Sequence, residues 1–334
     1  MIRLTVAIVI AVVGSVLPAA AQERVVVGTQ RLTENGALFL AAAKGYFKAE
    51  GIDLAMTAYE FDQTVVETLA GGATDFGLAG FTPAAFNFAG KGLIKAIAAQ
   101  TREKRAYEGT ELIASNLGFA RGLRKFDDVA NKTIAIDSLG SVSHYQLEQI
   151  ARVKRIALDR VDVRPMRTLD AIARAVGTNQ VDAAIVPAPY ARELMGANQA
   201  KLVGWYSEVD EQQLGALFVS SKMIQSRRAV VEKFVNAYRR GVADYSAALL
   251  RIDRHYKRTS DDKSHEAAMT IARYVYPDRR ENGAATVEIA AYFIDPQARL
   301  DLPDIERQVA WYKARGLVDK NVDARNVVDQ SFVK

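Results

Sequence analysis

The stretch from Asp137 to Gln146, reading Asp-Ser-Leu-Gly-Ser-Val-Ser-His-Tyr-Gln, concentrates much of the polar chemistry of this chain. A β-branched run ends at Asp137, Gly140 permits a turn, and Ser141 opens an amphipathic helix with Ser143 close behind. A helix amino terminus leaves backbone N–H groups unpaired, and these, with the hydroxyls of Ser138, Ser141 and Ser143, suit an oxygen of a sulfonate or carboxylate. Ser141 has a purely structural role open to it as well, as the N-cap of its helix. Thr82 before Pro83 repeats the pattern earlier in the chain, with the same two roles open. Gln30 and Arg31 follow a strand in the loop 29–36. Gln30 can donate from a cleft floor, and Arg31 can clamp an oxyanion in bidentate fashion or be solvated. Arg167, after Pro165 and Met166, offers the same choice. Phe61 and Phe81 follow strands and can wall a ligand, Pro189 and Tyr190 lie at another strand end, and His144 adjoins the serines.

The absences are as informative. Neither G-x-x-x-x-G-K-[ST] nor G-x-G-x-x-G occurs around Gly140, which argues against a nucleotide phosphate loop. The three histidines, His144, His255 and His265, show no paired metal-ligand spacing, and no G-x-S-x-G or H-E-x-x-H is present. With no cysteine there is no thiol nucleophile, disulfide, thiolate metal site or lipid-bearing cysteine. Net charge is +5, but Lys and Arg are scattered among Asp and Glu, which disfavours nucleic-acid binding. No catalytic residue, metal or cofactor is expected.

The elements that must position these residues alternate regularly. Strands are predicted over 25–29, 52–59, 75–79 and 93–99, with helices over 36–49, 63–70 and 83–89 between them. The rhythm resumes with strands over 111–115, 133–137, 161–165, 183–186 and 201–206, and helices over 142–154 and 169–176. A further strand over 214–220 precedes a largely helical last third, in which Val230, Phe234, Ala237 and Gly241 form the core stripe of a long helix over 229–250. Strand–helix alternation builds mostly parallel sheets covered on both faces. The expected fold is therefore α/β and bilobal, two mostly parallel sheets flanked by helices with a central cleft. Residues 22–104 and 215–334 should form a discontinuous first lobe and 105–214 the second, with ligand held where strand ends and helix starts converge. A hinge between the lobes can close on it.

The segments carrying this rhythm bring a resemblance. Phe39 to Leu54, Leu69 to Gly80, Thr133 to Leu147 and Asn179 to Ala191 resemble, in order and spacing, the nitrate/sulfonate/taurine class of periplasmic substrate-binding proteins. The thiamine-pyrimidine synthase is a fold relative of that class. The resemblance implies the type 2 periplasmic binding fold and a role as the extracytoplasmic solute-binding component of an ABC importer. It implies an ABC permease with its ATPase as partner, and a small, anionic organic solute as cargo. Nitrate, a pyrimidine precursor of thiamine, or presentation of a ligand to a membrane sensor remain as alternatives, and a monomer is expected. The pyrimidine-forming enzyme is thought to use a cysteine-rich segment, which this chain lacks.

The amino terminus fits that address. Arg3, an apolar run over 4–17 and Ala19-Ala20-Ala21 have the order of a secretory signal cleaved after Ala21, and the apolar run is short for a membrane span. Residues 1–21 are expected to be removed, leaving a protein in the periplasm of a Gram-negative cell.

Overall fold

A computed structural model describes residues 22–333 apart from Tyr256; the expected signal segment lies outside the described residues. Twelve strands are found among the described residues: β1 (Glu23–Thr29), β2 (Ile52–Ala58), β3 (Phe76–Gly80), β4 (Ile94–Ala99), β5 (Arg102–Glu103), β6 (Thr110–Ser115), β7 (Thr133–Ile136), β8 (Asp162–Pro165), β9 (Ala183–Pro187), β10 (Ala200–Trp205), β11 (Gln212–Gln213) and β12 (Gly215–Ser220).

They form two five-stranded sheets of one design. The first has the order β2-β1-β3-β12-β4 and the second β10-β6-β9-β7-β8. In each, four strands run the same way and one is inserted against them. β12 is antiparallel to both β3 and β4, and β6 is antiparallel to both β9 and β10. The reversed strand is in each case the one by which the chain enters from the other sheet. The two entering segments also pair with each other just before they do so, as the short antiparallel ladder of β5 and β11, Arg102 opposite Gln213 and Glu103 opposite Gln212. Two hydrogen-bonded crossings side by side make a narrow hinge.

Burial explains the sequence pattern. The inner strands of the first sheet carry Val25, Val27, Phe76, Leu78 and Leu217, all out of solvent, because helices cover both faces. The long helix Arg228–Leu249 lays Phe234 against Phe76, ring centroids 3.8 Å apart, and the Tyr238 hydroxyl donates to Ala99 O at 2.9 Å. Gly241 is required there: a Cβ would meet Ala37 O at 2.3 Å, so only glycine lets this helix cross Gly36–Ala43 so closely. The stripe predicted over 229–250 is core, as expected. The predicted helix over 36–49 is two helices, because Gly45 takes a left-handed φ of 71° between Ala43 and Tyr46.

The sheets are also braced on one side of the cleft. From the helix Val142–Val153, Glu148 accepts from Trp311 Nε1 (3.2 Å) and from Arg315 Nε (2.9 Å), both on the helix Leu302–Ala314 or just after it.

Candidate functional site

Between the sheets lies a cleft of about 1250 Å³. Of the helices that begin on its wall, three are capped by a hydroxyl. Thr82 Oγ1 accepts from Ala85 N (3.3 Å), Ser141 Oγ from His144 N (3.2 Å) and Thr168 Oγ1 from Ala171 N (3.1 Å). The first-turn N–H groups that these caps do not use lie at the same wall.

Of the residues singled out from sequence, Gln30, Arg31, Phe61, Thr82, Ser138, Ser141, Ser143, Arg167 and Tyr190 line this cleft. Three others do not. Phe81 is fully buried: its N–H donates to Leu214 O (3.0 Å), which turns the side chain inward onto Phe86 and Phe218, at 5.3 and 5.5 Å. His144 is committed elsewhere. Its Nδ1 accepts from Gly140 N (2.9 Å), its Nε2 lies 3.3 Å from Glu148, and the ring packs edge-on to Trp311 at 5.5 Å. Burial, then the nearby Arg315 guanidinium, hold its imidazole below the ordinary range. Pro189 is buried and borders a side chamber of about 330 Å³, which shares Arg31, Glu34, Pro187 and Tyr190 with the main cleft.

The serine cluster is a chain rather than a set of loose hydroxyls. Ser141 and Ser143 are 3.0 Å apart, and Ser143 donates a short bond to Asp137. Gln30 Nε2 likewise donates to Glu60 O (2.8 Å), so its amide nitrogen braces the loop.

The positive groups are different. Arg31, Arg167 and Arg174 all line the cleft, all are exposed, and among the described residues none of the three guanidinium groups has a hydrogen-bond or ion-pair partner. Arg167 is held at a φ of 71°, which residues other than glycine and asparagine seldom adopt, and its N–H donates to Asp137 O at 2.8 Å. The bend carries the chain from β8 into the cap at Thr168 and sets Arg167 on the wall.

Sequence reasoning passed over the acids. Asp62 lines the cleft, accepts from Gly80 N at 2.8 Å, and is pushed up to about 6 by burial, with the charge of Asp137 adding to the shift. Glu34 also lines it, pushed up to about 8 by burial first and by Asp62 and Glu103 next. Each sits within a few residues of a strand end, but neither stands in a recognisable motif. Gln146 and Thr110, buried yet on the cleft wall, were missed for the same reason. Among the described residues, no group of three or more His, Asp or Glu side chains could hold a metal ion, and no helix is long and apolar enough to cross a membrane.

With this geometry the sequence can be placed. The family described as NMT1/THI5 like matches residues 33–248, more than half of the chain. The chain belongs to the NMT1/THI5-like family. No curated protein sequence matches it. Among solved structures, this family member superposes on the periplasmic aliphatic sulphonate binding protein SsuA from Escherichia coli with a TM-score of 0.72 at 14% identity, covering 92% of each chain. The alkanesulfonate-binding protein SsuA from Xanthomonas axonopodis pv. citri, bound to MOPS, gives 0.67 at 17% identity, with 93% of this chain and 100% of that one covered. The desulfurization enzyme DszB gives 0.62 at 15%, with 93% and 98% covered. At these identities the likeness is one of fold, and it makes this a bilobal α/β structure of the periplasmic-binding-protein type.

Proposed function

We propose that this NMT1/THI5-like protein is the extracytoplasmic solute-binding component of an ABC importer, closing its two lobes on a small organic anion, a sulfonate or carboxylate. The observation that carries the reading is the set of three unpartnered guanidinium groups, Arg31, Arg167 and Arg174, on one cleft with three hydroxyl-capped helix amino termini. Unpaired arginines facing a concave site are poised for bidentate contact with an oxyanion, and helix starts add to the same field. Apolar side chains on the wall, Phe61 at 43% exposure and Leu139 at 64%, give an organic body something to rest on. Nitrate would leave them unused.

Binding rather than turnover is favoured by the groups beside the serines. His144 spends both ring nitrogens within the protein, on Gly140 and Glu148, and the sequence has no cysteine. In this reading residues 1–21 direct export, the chain acts as a monomer, and a permease with its ATPase receives the loaded form.

One preparation tests the proposal. Protein released by osmotic shock should have an intact mass beginning at Gln22. A thermal-shift screen of that material over sulfonates, carboxylates, nitrate and neutral pyrimidines should then give its largest shift with an organic oxyanion. A ligand at a hundred times its dissociation constant stabilises by about 2.7 kcal/mol. A best ligand that is neutral and apolar would sink the anion reading.

A further inference from the structure

Buried polar side chains are usually hydrogen-bonded, so the exceptions carry information. One of them belongs to a residue that lines the cleft. Where the crossing segments meet β6, Thr110 N donates to Glu103 Oε1 at 2.8 Å, and Gln146 Nε2 lies 3.4 Å from both Glu103 Oε1 and Thr110 Oγ1. In these contacts the Gln146 amide nitrogen points toward the hinge. Its Oε1 is then left with no partner, although Gln146 is wholly buried and lines the cleft together with Thr110. Glu111 has two oxygens without a hydrogen bond close by in sequence, but it faces Arg192 and does not line the cleft. Gln146 does.

An unmet amide oxygen in a folded protein costs stability, and a donor brought by the ligand would repay that cost only when bound. We infer that Gln146 Oε1, backed by Thr110 and Glu103, is an acceptor subsite for an N–H or O–H of the solute, so that the cargo carries a hydrogen-bond donor in addition to its oxyanion. The inference rests on the oxyanion reading of the same cleft and narrows it to hydroxy- or amino-substituted anions. The Asp62 and Glu34 carboxyls on the same wall are compatible with either donor. A site built to bond a polar group rejects the analogue that lacks it far more strongly than an apolar pocket rejects an added hydroxyl.

The test uses matched probes on the mature protein. Propanesulfonate is compared by calorimetry with its terminal hydroxyl and terminal amine derivatives, and butanoate with its own. At least one donor-bearing member of a pair should bind roughly tenfold or more tighter than its parent. Gln146→Met keeps the volume and removes the acceptor, and should shrink that ratio to about twofold or less. Parents that bind as tightly as their derivatives in the wild type overturn the inference and leave the oxyanion reading standing. A Gln146→Met protein that is folded and keeps the full ratio overturns it too. Should the variant not fold, the wild-type ratio alone decides. If no probe of either kind binds, the oxyanion reading falls and the inference with it.

Discussion

Replacing Arg167 separates backbone strain from ligand binding, because the two respond in opposite directions. Its φ of 71° places an L residue in the left-handed region, at a cost of about 1–2 kcal/mol that glycine does not bear. Glycine gives back roughly 0.5–1 kcal/mol through the greater freedom of the unfolded chain, so Arg167→Gly should be neutral to about 1 kcal/mol stabilising. No side-chain hydrogen bond or ion pair is lost, because the guanidinium has no such partner among the described residues. Arg167→Ala keeps the strained backbone and should leave stability within about 0.5 kcal/mol of wild type. Both variants lose the clamp. A hydrogen bond to a charged group is worth about 1.5–3 kcal/mol, and the exposure of Arg167 points to the lower end, so affinity should fall about tenfold in each. Calorimetry with the tightest oxyanion from the screen, at two salt concentrations, reads the clamp, and thermal melting reads the strain. The wild type should also lose more affinity to added salt than either variant. If both variants bind within about twofold of wild type, Arg167 is not a ligand clamp. If Arg167→Gly melts clearly lower, the strain argument is wrong.

Two further substitutions follow from the same geometry. Ser141→Ala removes a cap bonded to His144 N and a hydroxyl that already faces Ser143, so melting should register a loss of about 1 kcal/mol while affinity changes less than about threefold; a tenfold affinity loss without a stability change would mean that the hydroxyl serves the ligand instead. Glu34, Glu103 and Glu111 are pushed by burial to about 8, 7 and 8, above the ordinary 4.5, so the folded state holds protons the unfolded state releases. Their contribution to stability is then complete below about pH 4.5 and lost as pH rises through 7 to 8, so the melting temperature should fall across that range. Glu111→Gln should flatten the fall and stabilise the protein above pH 8, and a variant with an unchanged pH profile would refute the assignment.

The fold was legible in the sequence wherever burial is two-sided. Runs such as 76–80 and 183–186 are continuous and apolar because helices cover both faces of each sheet, and such runs read clearly against their glycine-punctuated neighbours. What could not be read was direction. β6 and β12 look like any other buried strand, and only the crossing of the chain between the sheets makes each of them run backwards. The β5–β11 ladder is two residues long, too short for any period to show, although it joins the crossings into one hinge.

The site divided along a different line. Thr82 and Ser141 were found because a hydroxyl just before a helix is a local signature, and Arg167 because it stands in a loop after a strand. Of the three residues that do not line the cleft, Phe81 and His144 were read as facing it on position alone. Phe81 is turned away through a distant bond, its N–H to Leu214 O, whereas His144 is tied down within its own segment, to Gly140 and Glu148. The residues passed over, Asp62, Glu34, Thr110 and Gln146, share the converse property. Each takes its meaning from a partner far away in the chain, as Gly80 is for Asp62 and Glu103 is for Gln146. Their side chains matter because they are buried, and burial at a cleft is set jointly by two lobes. A cap is a property of four consecutive residues. An unmet acceptor is a property of the whole fold, and for that reason the proposed acceptor subsite rests on Gln146, a residue that no motif marks.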